Sequence, residues 1–108
     1  MLEIKEYLTP AGKSPFAVWL KGLRDRQARA RILLRMERLR SGNPGDVMPV
    51  GEGVSEFRIH HGPGYRAYFA KRGQQFILLL GGGDKSSQQA DIRLAKARWR
   101  EYQERNHD

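Results

Sequence analysis

Val54-Ser55-Glu56-Phe57-Arg58-Ile59-His60-His61, Gly62-Pro63-Gly64, Tyr65-Arg66-Ala67-Tyr68-Phe69-Ala70-Lys71 and, past Arg72-Gly73, Gln75-Phe76-Ile77-Leu78-Leu79-Leu80 read as three strands in succession. In the first run Phe57 and Ile59 alternate with Glu56, Arg58 and His60; in the second, Tyr65, Ala67 and Phe69 oppose Arg66 and Tyr68. A period of two sends these sets to opposite faces of a strand. The third run is apolar throughout, as expected of a strand covered on both faces. Glycine-containing turns join the runs, so an antiparallel meander is the economical reading. Its polar face carries Glu56, Arg58, His60, Arg66 and Tyr68, with Lys85 just beyond the third strand in Gly81-Gly82-Gly83-Asp84-Lys85-Ser86.

The chain has 108 residues, enough for a single domain, residues 1–108, with one modest core. Lysine and arginine outnumber aspartate and glutamate by 20 to 12, a formal charge of +8 that favours polyanionic or acidic partners. Cysteine is absent, which excludes disulfides, thiolate metal sites and a cysteine nucleophile. No apolar run is long enough to span a bilayer, and Met1-Leu2-Glu3-Ile4-Lys5 lacks the apolar core of a signal peptide. No membrane association is expected, and the expected location is cytoplasmic.

Around the meander the rest of the chain falls into short elements. Leu2 to Leu8 alternates as a strand and stops at Thr9-Pro10-Ala11-Gly12. Ser14-Pro15 offers an N-cap and a proline at the first helical position, predicting a helix to about Leu23. Asp25 can cap a second helix running to about Arg40, with Ala28, Ile32, Met36 and Leu39 on one stripe and Leu33 beside it. Ser41-Gly42-Asn43-Pro44-Gly45 ends it, and Val47-Met48-Pro49-Val50-Gly51-Glu52-Gly53 reads as a connector. Ser86-Ser87-Gln88-Gln89 has capping-box spacing and opens a last helix with Ile92, Ala95, Trp99 and Tyr102 on one stripe. The tail Arg105-Asn106-His107-Asp108 is expected to fray. The predicted fold is α+β, in the order β-α-α-β-β-β-α. It has a small antiparallel sheet, both N-terminal helices on one face, and the first strand alongside the meander.

Two basic surfaces emerge. From Arg24 to Arg40 seven arginines stand against Asp25 and Glu37. They form either a solvated helix face or a docking face for nucleic acid or an acidic segment. On the meander, Arg58, His60, Arg66, Tyr68 and Lys85 form either an ordinary solvated face or a phosphodiester site. Arginine and lysine there would hold a phosphate and offset charge building in its transition state. A histidine, whose ordinary pKa is about 6.5, can exchange protons near neutrality. Glu56 is a weaker base candidate, and Tyr68 could stack on a base or donate a proton. His60-His61 does not make a metal site, because adjacent strand residues diverge and no third ligand stands at recognisable spacing. No cofactor is expected. The Gly81–Ser86 segment lacks the full phosphate-loop pattern, so its glycines read as places of close backbone approach.

Gly51-Glu52-Gly53-Val54-Ser55-Glu56-Phe57-Arg58-Ile59-His60, Gly62-Pro63-Gly64-Tyr65-Arg66-Ala67-Tyr68-Phe69 and Leu78-Leu79-Leu80-Gly81-Gly82-Gly83-Asp84-Lys85-Ser86-Ser87-Gln88-Gln89 together resemble the RelE/ParE superfamily of bacterial toxins. The match is to its HigB-like addiction-module-killer branch and extends over essentially the whole chain. The resemblance implies a toxin neutralised by a cognate antitoxin, an acidic or helix-turn-helix protein. It also implies metal-independent cleavage of mRNA in the ribosomal A site, leaving a 2′,3′-cyclic phosphate. The resemblance places site residues at Arg58, Arg66 and Lys85; joined with the chemistry of the face, the expected catalytic set is Arg66, His60 and Lys85, with Arg58, Tyr68 and Glu56 expected to contact RNA. Glu56 reverses the charge of a basic residue in the family pattern, and the C-terminal tyrosine of some members has no sure match, with Asp91 or Tyr102 nearby. Two alternatives stay open, a non-enzymatic gyrase inhibitor of the ParE kind and a degenerate module that binds antitoxin only. The antitoxin is expected on the second helix, at Arg29, Arg31 and Arg35 turned outward, rather than around Arg58 and Arg66. Arg66→Ala is expected to relieve toxicity without unfolding the chain.

Overall fold

The computed structural model describes residues 2–106. Its elements are β1 (Glu3–Glu6), α1 (Pro15–Gly22), α2 (Arg26–Arg40), β2 (Val47–Gly51), β3 (Val54–Ile59), β4 (Tyr65–Arg72), β5 (Phe76–Asp84) and α3 (Gln88–Arg105), with a 3-10 turn at Lys85–Ser87 before the last helix. The architecture is α+β, and the sheet order is β1-β5-β4-β3-β2. The meander β3-β4-β5 is antiparallel, as its turns predict. β1 joins it at one edge but runs parallel to β5, so the sheet is mixed.

The segment read as a connector is strand β2, which pairs antiparallel with β3. Pro49 and Gly51 hide it in the sequence. A proline cannot donate to a ladder, so it fits an edge strand, and the register breaks between Pro49 and Gly51. Gly51, Glu52 and Gly53 then turn the chain with positive φ at all three residues. The Glu52 carboxylate reaches Arg100 and Lys96 of α3 at 3.3 and 3.6 Å.

Alternation along the meander divides the core in two. Phe57, Ile59, Ala67, Phe69, Ile77 and Leu79 meet Phe16 of α1 and Ile32 and Leu39 of α2. Tyr68, Ala70, Phe76, Leu78 and Leu80 meet Ala95 and Trp99 of α3. Both N-terminal helices therefore lie on one face, as expected, and α3 covers the other. The predicted caps form: Ser14 accepts from the Ala17 amide, and Asp25 from those of Gln27 and Ala28. The capping box does not. Asp84, at the end of β5, takes the Ser86 amide instead, and the intervening 3-10 turn delays α3 to Gln88.

The tail expectation is corrected in part. Arg105 donates to Glu101 and to the Leu8 carbonyl, and the Asn106 carbonyl accepts from Arg72, so both are tied down. His107 and Asp108 lie outside the described residues. Among the described residues no helix is long and apolar enough to cross a membrane.

Candidate functional site

Register decides which charged side chains meet. Arg58 on β3 lies opposite Arg66 on β4, which lies opposite Gly83 on β5. Two pairs further along, and so on the same face, Glu56 lies opposite Tyr68, which lies opposite Gly81. The β4–β5 register shifts at this point, since Tyr68 pairs with Gly81 but Phe69 with Leu79, leaving Leu80 as the extra residue. A one-residue bulge reverses which face each later residue of β5 takes. Gly81 and Gly83 consequently face α3, and Gly82 faces α1. A β-carbon on Gly83 would lie 1.9 Å from an Asp91 oxygen, and one on Gly82 would lie 2.3 Å from the Trp19 indole. The expected close approach of backbone and helix at this triplet is what the glycines provide.

The inner row is closed. Glu56 is 1% exposed and receives Gln88 Nε2 at 3.3 Å on each carboxylate oxygen. Tyr68 is fully buried, and its hydroxyl makes no well-formed hydrogen bond with any described residue, the Glu56 carboxylate being close enough to act on it. Burial above all, then the charges of Glu56 and Asp91, hold this phenol well above its ordinary pKa. The expectation of an open polar sheet face is therefore corrected at these two residues. With α3 lying over Tyr68, no base can stack on it, and Glu56 has no path to solvent.

The outer row is partly open. Arg66 donates from Nη1 to the Gly64 carbonyl at 3.1 Å, and its Nε stands 3.8 Å from Glu56. Its side chain retains 13% exposure. Gly64 brings Lys85 to the same place: a β-carbon there would lie 3.6 Å from Arg66 Nη1 and 3.8 Å from Lys85 Cβ. Lys85 itself is exposed on the 3-10 turn. Arg58 donates to Asp46 Oδ1 from Nη2 at 2.8 Å, and His60 Nε2 reaches Asp46 Oδ2. Hydrogen bonds from Arg58 and then His60 hold the Asp46 carboxyl below its ordinary pKa, and Asp46 raises that of Arg58. His60 is the open member, with its side chain 76% exposed.

The two adjacent histidines diverge. His61 Nε2 lies 2.8 Å from Asp25, the N-cap of α2, rather than near Asp46. Among the described residues no group of three or more histidines and carboxylates could hold a metal ion.

On α2, Arg31 is exposed and Arg29 half-buried. Arg35 does not turn outward. Its guanidinium donates to the carbonyls of Arg58, Pro44 and Asp46 at 2.6, 3.0 and 3.0 Å and lies over the Phe57 ring.

Chemically, Arg58, Arg66 and Lys85 offer cations to an anionic ligand, beside one exposed imidazole and its carboxylate partner. Sequence reasoning missed Asp46, which holds Arg58 and His60, and Gln88, which meets Glu56. Asp46 sits in a loop without periodicity, so the one signal for it was an acid after Asn43-Pro44-Gly45 at the mouth of a basic helix.

The chain is similar to proteins described as phage derived protein Gp49-like, and that family's model matches residues 18–100. The matched stretch contains every residue of both rows. An uncharacterized protein of Haemophilus influenzae (strain ATCC 51907 / DSM 11121 / KW20 / Rd) is 42% identical over 95 residues, 88% of this chain and 90% of that protein.

Proposed function

We propose that this chain, which belongs to the Gp49-like family of phage-derived proteins, is the toxin of a toxin–antitoxin pair and cleaves mRNA on the ribosome without a metal. The observation that carries the reading is the cation row: Arg58 and Arg66 are cross-strand partners, and Gly64 lies beside both Arg66 Nη1 and the Lys85 β-carbon. The similarity of the meander to RelE/ParE toxins, and to HigB-like ones in particular, supports the same chemistry. Arg58 and Lys85 bind phosphates flanking the scissile one, and Arg66 stabilises the phosphorane-like transition state. The ribose 2′-oxygen attacks phosphorus as its proton leaves to His60. The bond from phosphorus to the 5′-oxygen breaks, that oxygen takes up a proton, and a 2′,3′-cyclic phosphate remains. Asp46, in contact with Nε2, orients the His60 imidazole. Glu56 takes no proton in this scheme, because it is buried.

Purified chain incubated with translating ribosomes and mRNA, followed by mapping of 3′ ends, tests the reading. Cleavage with cyclic-phosphate ends, lost in His60→Ala and in Arg66→Lys, is the expected result. Intact mRNA in the presence of stable, toxic protein overturns it. That outcome leads to a second reading, a non-enzymatic inhibitor such as one acting on DNA gyrase. The burial of both Glu56 and Tyr68 favours this second reading, since it leaves His60 as the one exposed proton carrier of the three proposed.

A further inference from the structure

The face of α2 and the end of β3 meet in a cleft of about 330 Å³. Arg31, Leu34 and Arg38 line one side and Arg58, Ile59 and His60 the other, with Arg35 closing the floor between them. The two basic surfaces that look separate in the sequence are thus one surface. Arg31 and Arg38 make no ion pair with any described residue, and Leu34 is 51% exposed at the lip. Asp46, beside the cleft, is already engaged by Arg58 and His60.

We infer that this cleft is the docking site for an acidic segment of the antitoxin that carries an aliphatic side chain among its carboxylates; this rests on the toxin reading above. The cations call for carboxylates, and the half-exposed leucine above Ile59 calls for an apolar side chain that leaves water on binding. RNA fits the lining poorly. Unpaired bases are held chiefly by stacking on large aromatic rings, and no phenylalanine, tyrosine or tryptophan lines the cleft. Because Arg58 and His60 belong to both the cleft and the proposed cleavage site, an occupant takes both out of use. Neutralisation then follows from direct occupation of one end of the site, whatever the bulk of the rest of the antitoxin.

The test is fluorescence anisotropy with the full chain and no ribosomes, so that its outcome is independent of whether the chain cleaves mRNA. Three labelled probes are compared: a peptide of alternating glutamate and leucine, its glutamate–serine counterpart, and a uridine oligoribonucleotide. The glutamate–leucine peptide should bind tightest. Leu34→Asp and Arg38→Glu should each weaken it by about tenfold or more. Arg93→Glu, an equal charge reversal at an exposed site on α3, should weaken it less than about twofold. Circular dichroism confirms folding, and Leu34→Ser substitutes if the aspartate variant unfolds. Equal binding of the two peptides, an equal effect of Arg93→Glu, no peptide binding, or Leu34-dependent binding of the oligoribonucleotide alone would each overturn the inference.

Discussion

Arg35 on α2 donates to the main-chain carbonyl of Arg58 on β3 at 2.6 Å, joining the basic helix to the strand that carries the cation row. The same guanidinium also holds the carbonyls of Pro44 and Asp46, so it fixes the loop from which Asp46 reaches Arg58. Arg35→Ala should lower stability by about 2 kcal/mol, since it strands carbonyls that accepted charged hydrogen bonds. Arg35→Lys should recover less than half of that loss, because an ammonium cannot reproduce the planar fork. Urea unfolding measures both, and an unchanged midpoint for Arg35→Ala would show that the tie is dispensable.

Gly82 lies under the Trp19 indole with no room for a methyl group. Gly82→Ala should destabilise by about 1–3 kcal/mol through overpacking. Combining it with Trp19→Leu should cost clearly less than the sum of the single changes, because the two share one contact. Strict additivity in chemical denaturation would place the cause elsewhere.

Arg66 cannot be removed without consequence for Glu56. Their 3.8 Å pair is largely buried, so Arg66→Ala should cost about 3 kcal/mol by leaving a buried carboxylate uncompensated. Glu56→Gln in the same chain should restore most of the stability while activity stays lost. Restoration of mRNA cleavage together with stability would remove Arg66 from the proposed chemistry.

Acid should weaken the fold. Asp25, Asp46 and Asp84 are each held below the ordinary carboxyl value of 3.8: Asp25 chiefly by the Ala28 amide, Asp46 by Arg58 and Asp84 by Ser86. A carboxyl with a lowered folded pKa binds its proton more readily in the unfolded chain. Its stabilisation is present above the ordinary value and is lost as pH falls through the folded one. Urea midpoints from about pH 6 to about pH 3 should therefore fall. The fall should be shallower in Asp46→Asn, and an equal slope in that variant would count against this assignment.

Tyr68 carries a buried hydroxyl without a well-formed hydrogen bond to any described residue. Tyr68→Phe should leave stability within about 1 kcal/mol of the parent or raise it, since it deletes an unsatisfied group and keeps the ring. Cleavage should be unaffected if the phenol takes no part. A large fall in stability would reveal an acceptor for that hydroxyl.

Much of this was legible in the residues. The two-residue alternation of Phe57 and Ile59 against Arg58, the unbroken run Phe76–Leu80, and the caps at Ser14 and Asp25 each report local geometry that a short window contains. β2 was not legible, because Pro49 and Gly51 break the pattern of an edge strand whose evidence is its pairing partner. The roles of Glu56 and Tyr68 were misjudged for a related reason. Alternation assigned them correctly to the face opposite Phe57, but it does not say whether that face meets water or a helix.

By itself, then, the sequence determined every element but β2, the two faces of β3 and β4 and the +8 charge, because propensity, periodicity and capping act within a few residues. Tertiary structure alone decided that α3 covers Glu56 and Tyr68, that Asp46 gathers Arg58 and His60, and that the arginine helix and the cation row share one cleft. Each of those facts joins side chains more than ten residues apart. Their meeting depends on strand register, on the bulge at Leu80 and on the glycines that admit the helices, and no local pattern encodes such distances.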